Sequence, residues 1–273
     1  MMRPSQAELA AFLPQLESVA RRAGDIAMSY FRSGERTIAA VSYKGGGSPV
    51  TEADLAVDRF LFHEMARLVP EAAWLSEETV DTADRLTRDA LIVVDPIDGT
   101  LAFTRGDERW SVSIALVVRG RPVAGIVHAP ALGETYVGAS GLGAFLNGSP
   151  LRAPQRANIA GAALVAPRTM QDRLAASPGG FVMAPRTPSL ALRLADIASG
   201  RHDIVVAAPN ARDWDIAAAD VLLAESGALL SEPEGVALTY NRASLARDML
   251  IAAPKSLFDE SLALARGVLE GKL

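Results

Sequence analysis

The residues whose types and spacing could do chemistry are Asp95-Pro96-Ile97-Asp98-Gly99-Thr100. The apolar run Leu91-Ile92-Val93-Val94 before them reads as a buried strand ending at Asp95-Pro96, so two carboxylates arrive together at a strand's C-terminal end. Proline stiffens the exit, and glycine lets backbone N–H groups come close to a ligand. Hard oxygen donors on one rim suit Mg2+ or Mn2+, and the N–H groups after them suit a phosphate. An isolated Asp-Gly-Thr is usually a surface turn. Two acids bracketing Pro-Ile directly after a hydrophobic run fit that reading poorly.

Two further acidic segments are Glu77-Glu78 and Asp213-Trp214-Asp215. Each has an ordinary explanation by itself, since Glu-Glu commonly decorates a solvated face and acids in a first helical turn are dipole partners. Convergence would change that. Two like charges about 4 Å apart repel by about 4 kcal/mol at an effective dielectric of 20, so a cluster of such acids requires cations.

Other chemistries are disfavoured. There are no cysteines, which removes thiolate nucleophiles, disulfides and Cys-based metal sites. The three histidines, His63, His128 and His202, are scattered and read as structural. Lys44-Gly45-Gly46-Gly47-Ser48 places its lysine before the glycines, the wrong order for a P-loop. Asp95-Pro96-Ile97-Asp98-Gly99 breaks the alternate-acid rhythm of an EF-hand.

The elements that must position these acids are legible in outline. Ser5-x-x-Glu8 predicts a capping box opening a helix to about Phe31, with a kink at Pro14. Thr51 predicts the N-cap of a second helix, with Asp54 in its first turn. Alternation over Val112–Val118, Val123–Val127 and Thr135–Val137 predicts a meander. After Asn147-Gly148-Ser149-Pro150, strands at 163–166, 204–207 and 249–252 alternate with helices at 190–199, 214–226 and 256–269. The expected class is α/β of the α+β type, with subdomains 1–148 and 149–273.

The chain has 273 residues, of which 49% are hydrophobic and 22% charged, enough apolar material for a real core. Its net charge of -5 disfavours a nucleic-acid polymer as partner. The polar start Met1-Met2-Arg3-Pro4 and the lack of a long apolar stretch lead to an expectation of a cytoplasmic, non-membrane protein.

Taken in order, Lys44, Val50-Thr51-Glu52-Ala53-Asp54, Glu77-Glu78, Asp95 to Thr100 and Trp214-Asp215-Ile216-Ala217-Ala218 resemble the inositol monophosphatase family over nearly the whole chain. The resemblance implies a layered αβαβα sandwich with its active site between the two halves, and a Mg-dependent, lithium-sensitive phosphatase. It implies metal binding by Glu77, Asp95, Asp98, Asp215 and the Ile97 carbonyl, with on the order of two or three Mg2+ ions. Gly99 and Thr100 would offer N–H groups to the phosphate. Thr100, oriented by Asp54, would act with Glu77 on a water that attacks phosphorus directly, without a phosphoenzyme. Substrate contacts are expected from Asp98, Gly99, Thr100, Asp215, Asp213 and Arg212.

The implied substrate is a small phosphorylated metabolite, inositol monophosphate or a related polyol phosphate. The segment Leu238-Thr239-Tyr240-Asn241-Arg242 is more similar to the bacterial branch acting on 3'-phosphoadenosine 5'-phosphate, with Arg105, Arg212 or Arg242 as candidates for an extra phosphate. A non-catalytic metal-binding interaction protein is the alternative of another class. A homodimer is the assembly expected of the family.

Overall fold

A computed structural model describes residues 4–175 and 179–270. Helix α1, Gln6–Tyr30, opens with the Ser5/Glu8 capping box and buries Leu9, Leu16, Val19, Ala20, Ala23 and Ala27 along one stripe. It runs through Pro14 without ending there. A short hairpin, β1 (Val41–Tyr43) and β2 (Pro49–Thr51), leads into α2, Glu52–Leu68. Next come β3 (Ala73–Ser76), β4 (Ala90–Asp98) and the short helix α3 (Thr100–Thr104). The meander follows as β5 (Ser111–Val118), β6 (Arg121–Ala129), β7 (Glu134–Ala139), β8 (Gly143–Leu146) and β9 (Ser149–Pro150). The second half supplies β10 (Ala163–Val165), α4 (Arg168–Ala175), β11 (Val182–Met183), α5 (Leu190–Ala198) and β12 (Ile204–Ala207). It closes with α6 (Asp213–Ser226), β13 (Ala228–Ser231), β14 (Leu250–Pro254) and α7 (Phe258–Leu269).

Strands β3 to β9 form a seven-stranded sheet in sequence order, in which only the β3–β4 pair is parallel. A five-stranded sheet has the order β11-β10-β12-β14-β13. The expected junction at 148/149 is where the first sheet's edge strand β9 begins.

Alternation along the strands builds the layers. Ile92, Val94, Val112, Ile114 and Ile126 join α1 and α2 in one core. Leu91, Val93, Ala115, Val117 and Val127 face the other way and pack with α5 and α6, which also meet Val205 and Ala252 of the second sheet. That sheet's far face, with Leu164, Ile204 and Ile251, packs on Leu257, Leu262 and Ala265 at α7. The order is therefore α1/α2, sheet, α5/α6, sheet, α4/α7, a five-layer αβαβα sandwich. Helix α6 is apolar on nearly every side because sheets cover both its faces. It can lie close to β6 because Gly125 has no Cβ; one added there would stand 2.6 Å from the Ala218 carbonyl oxygen.

The strand expected to end at Asp95-Pro96 instead continues as β4 to Asp98 and is buried throughout. Strand β3 was not anticipated, because the four residues before Glu77 carry too little alternation to announce it. Among the described residues no helix is long and apolar enough to cross a membrane.

Candidate active site

Elements from both halves of the chain end at one rim. Parallel pairing sets Ser76 beside Val94, so β3 and β4 emerge on the same side and the Glu77 N–H donates to the Val94 carbonyl at 3.2 Å. Pro96 has no N–H for the ladder, and the register slips there: Asp95 lies opposite Ser113 while Asp98 lies opposite Ser111. Residues three apart in a regular strand face opposite ways; the extra residue of this bulge returns Asp98 to the side of Asp95. Helix α6 begins next to them, where the Ser113 hydroxyl donates to the Trp214 carbonyl at 3.3 Å. Carboxylate oxygens of Asp95, Asp98 and Asp215 consequently lie within 4.8 Å of one another.

Each acid is anchored by one oxygen. Asp95 Oδ1 accepts from the Ile97 N–H at 3.1 Å, and Asp215 Oδ2 accepts from the Arg212 N–H at 2.6 Å. Asp98 Oδ2 accepts from the Ser189 hydroxyl and the Ala191 N–H, both at 2.6 Å, at the N-terminus of α5.

Burial, then the charges of Glu77, Asp98 and Asp215, pushes the Asp95 carboxyl well above the usual carboxylate range. Burial and the Asp98 charge do the same to Asp215. Asp98 is raised by burial, against the pull of its Ser189 and Ala191 donors. Among the described residues no lysine or arginine forms an ion pair with these three acids. Clustered hard oxygens with uncompensated negative charge fit a hard divalent cation.

The inositol monophosphatase family profile matches residues 8–270. Inositol monophosphatase 3 of Solanum lycopersicum is 31% identical over 236 residues, covering 82% of this chain and 87% of the relative. The 3'(2'),5'-bisphosphate nucleotidase CysQ of Aggregatibacter actinomycetemcomitans is 30% identical over 241 residues, 84% of this chain and 87% of that one. Among solved structures, the Thermotoga maritima IMPase superposes with a TM-score of 0.80 at 26% identity, covering 93% of this chain and 96% of that one. The chain belongs to the inositol monophosphatase family. It is a phosphatase of that metal-dependent family, and the family implies a phosphorylated small molecule as substrate.

The remaining residues expected at the site of an inositol monophosphatase family member fall into two groups. Glu77 is half-buried and near enough for its charge to raise Asp95, but it is not one of the three acids within 4.8 Å; its Oε1 is held by Lys44 Nζ at 2.9 Å, and the same ammonium reaches Glu78 Oε1 at 2.8 Å. Burial pulls the Lys44 pKa down, and hydrogen bonds to Glu78 and Glu77 more than offset this, leaving it raised. Burial pushes Glu78 up to about 7 even so. Thr100 Oγ1 has two acceptors in reach, the Ile97 carbonyl at 3.0 Å and Asp54 Oδ1 at 3.2 Å. Asp54 is buried and also closes the α2 capping box through Thr51, whose N–H donates to Oδ2 at 2.8 Å. Burial pushes its carboxyl up to about 6. Gly99 adopts φ +94°, a left-handed conformation that turns β4 into α3.

Asp213 does not face the cluster. It is fully buried, and Oδ1 accepts from Arg247 Nη2 at 2.6 Å and Nε at 3.0 Å. Neighbouring acids in a helical turn point in different directions, and this one ties the start of α6 to the segment holding Tyr240 and Asn241. Arg212 is exposed, and its backbone rather than its side chain meets Asp215. Arg242 is turned back on its own loop, donating to the Ala246 carbonyl at 3.2 Å. Two residues at the site were not singled out from the sequence. Ser189, which also caps α5 by accepting from the Leu192 N–H, carried the signal of a serine just before an apolar helical run. Arg193, inside that same helix, carried none.

Proposed function

We propose that this protein hydrolyses the phosphate monoester of a small metabolite with Mg2+, inositol monophosphate or a related polyol phosphate being the reading favoured by its relatives' names. The mutual approach of Asp95, Asp98 and Asp215 to within 4.8 Å carries the proposal, since such a cluster needs a divalent cation. Those three, with Glu77 and the Ile97 carbonyl, would hold Mg2+. Residues 1–148 would supply all of these ligands except Asp215, which comes from 149–273. When bound, Mg2+ neutralises phosphate charge and makes water a better nucleophile near neutral pH.

The chain's own groups handle the proton. Thr100 Oγ1 accepts one from the attacking water while passing its own to Asp54 Oδ1, and Glu77 assists once freed from Lys44. Asp54 is largely ionised above its pKa of about 6 and so is competent as the acceptor at neutral pH. The water oxygen bonds to phosphorus as the ester oxygen leaves with its electron pair and takes up a proton. The N–H groups of Gly99 and Thr100 hold the phosphate oxygens. Direct attack is supported by the lack of a cysteine and by the three-residue separation of Asp95 and Asp98. A second reading, hydrolysis of a bisphosphorylated metabolite such as a nucleoside 3',5'-bisphosphate, is favoured by a cavity lined by Arg168, Arg186 and Arg193 and by the CysQ relative's name. The family resemblance leads us to expect two copies in solution.

The test is turnover of inositol 1-phosphate and a generic phosphomonoester with Mg2+ and with EDTA. Activity should require Mg2+, and Asp98→Asn should lower kcat by about 10²-fold or more. Metal-independent turnover, or an Asp98→Asn enzyme close to wild type, would refute the site.

A further inference from the structure

Helix α6 brings Asp215 to the carboxylate rim, yet its own sequence gives packing little with which to fix its rotation. Ile216 to Ala219 and Val221 to Leu223 are all buried, so apolar side chains cover every side of the helix. At about 100° per residue, a turn of one position about the axis would bury a similar surface and swing Asp215 off the rim.

Two other acids break that near-symmetry. Asp213 and Asp220 are separated by about two helical turns and so share one side of α6. Both reach the same segment, residues 239–247. Asp213 Oδ1 accepts from Arg247 Nη2 at 2.6 Å and Nε at 3.0 Å, and Oδ2 accepts from the Asn241 N–H at 3.3 Å. Asp220 Oδ2 accepts from the Tyr240 hydroxyl at 2.8 Å. The Arg247 guanidinium lies 4.9 Å from the centre of the Tyr240 ring and joins the two contacts. Asp213, Arg247 and Tyr240 are almost wholly buried, and a rotated helix would leave their polar groups without partners.

The segment is fastened in turn to the sheet that carries Asp95 and Asp98. The Tyr240 N–H donates to the Gly120 carbonyl at 3.0 Å, between β5 and β6. Ahead of β4, Asn241 Nδ2 donates to the Arg85 carbonyl and Arg85 Nη1 donates to Asn241 Oδ1, both at 2.9 Å. Asp215 stands about 200° round the helix from Asp213. Pinning Asp213 to this segment therefore keeps Asp215 on the opposite side, toward the rim.

We propose that the Asp213–Arg247 and Asp220–Tyr240 pairs form a rotational key for α6. The four are positioning residues that set the reach of Asp215 toward Asp95 and Asp98, and through it the affinity of the site for a divalent cation. The inference rests on the metal-site reading above. Replacing a buried ion pair by apolar groups of similar size often leaves stability unchanged, so the key can be removed without unfolding the protein.

The experiment measures Mn2+ binding by titration calorimetry for wild type, the double variant Asp213→Leu/Arg247→Met, and Tyr240→Phe, with a melting curve for each. The double variant should melt cooperatively and bind Mn2+ about tenfold or more weakly. Tyr240→Phe, which removes one hydrogen bond, should bind it about fivefold more weakly. A folded double variant that binds Mn2+ as wild type does overturns the key, whatever its melting temperature. If the double variant does not fold, Tyr240→Phe decides: weaker binding supports the key and unchanged binding overturns it. Wild type that binds no Mn2+ removes the metal site itself and the key with it, an outcome distinct from variants that match a binding wild type.

Discussion

Thr100 holds one hydroxyl proton between two acceptors, the Ile97 carbonyl at 3.0 Å and Asp54 Oδ1 at 3.2 Å. A hydroxyl so placed can relay a proton only while Asp54 is ionised. Thr100→Ala should therefore lower kcat by about 10²-fold while changing KM much less, measured by steady-state kinetics; an effect confined to KM would make Thr100 a phosphate ligand only. At this scale the sequence is informative about residue type and poor about direction. Asp95, Asp98 and Asp215 are recognisable as candidate ligands from their motif. Position in the first turn of α6 does not separate Asp213 from Asp215, and only the Trp214-Asp215 motif distinguishes them. Arg247, which holds Asp213 at 2.6 Å, lies far along the chain.

The element that gathers the site is α5 as much as β4. Ser189 caps α5 through the Leu192 N–H at 3.0 Å and donates to Asp98 at 2.6 Å, with Ser111 Oγ also 3.0 Å away. Ser189→Ala removes both functions. It should lower stability by about 1 kcal/mol, read from denaturant unfolding. It should also raise the Mg2+ concentration needed for half-maximal activity by about tenfold, with Ser189→Thr restoring much of both. A variant that loses stability with an unchanged Mg2+ requirement would confine Ser189 to capping. The helix and its N-cap serine are readable from local pattern. Contact with Asp98 is not, because it depends on two sheets holding α5 between them. The bulge at Pro96 lies between these cases: proline announces a broken ladder, but only pairing with Ser111 and Ser113 fixes where the register slips.

For the molecule as a whole, metal-free folding must bring like charges together. A carboxyl whose pKa is higher folded than unfolded binds more protons in the native state, so its contribution to stability declines as pH rises between the two values. Burial and neighbouring acids raise Asp95, Asp98 and Asp215, and burial raises Asp54 to about 6 and Glu78 to about 7. In EDTA the melting temperature should therefore fall as pH rises from about 4 towards 7, and Mg2+ should reverse the fall. Asp95→Asn removes one of the repelling charges. In EDTA it should melt about 4 °C or more above wild type at pH 8, with a smaller difference at pH 5, measured by scanning calorimetry. A gap that does not grow with pH would contradict the like-charge account.

The class of chemistry, the three aspartates at its centre, the capping boxes and the alternation of strands and helices are properties of short stretches. Helical and strand periods and metal-ligand motifs are written within a few residues of one another, so they survive in the linear chain. The tertiary structure alone decided that Asp213, expected at the substrate, turns instead to Arg247, and that Ser189 holds Asp98. Those outcomes depend on sheet pairing and layer packing between segments far apart in the chain, and no local pattern records them.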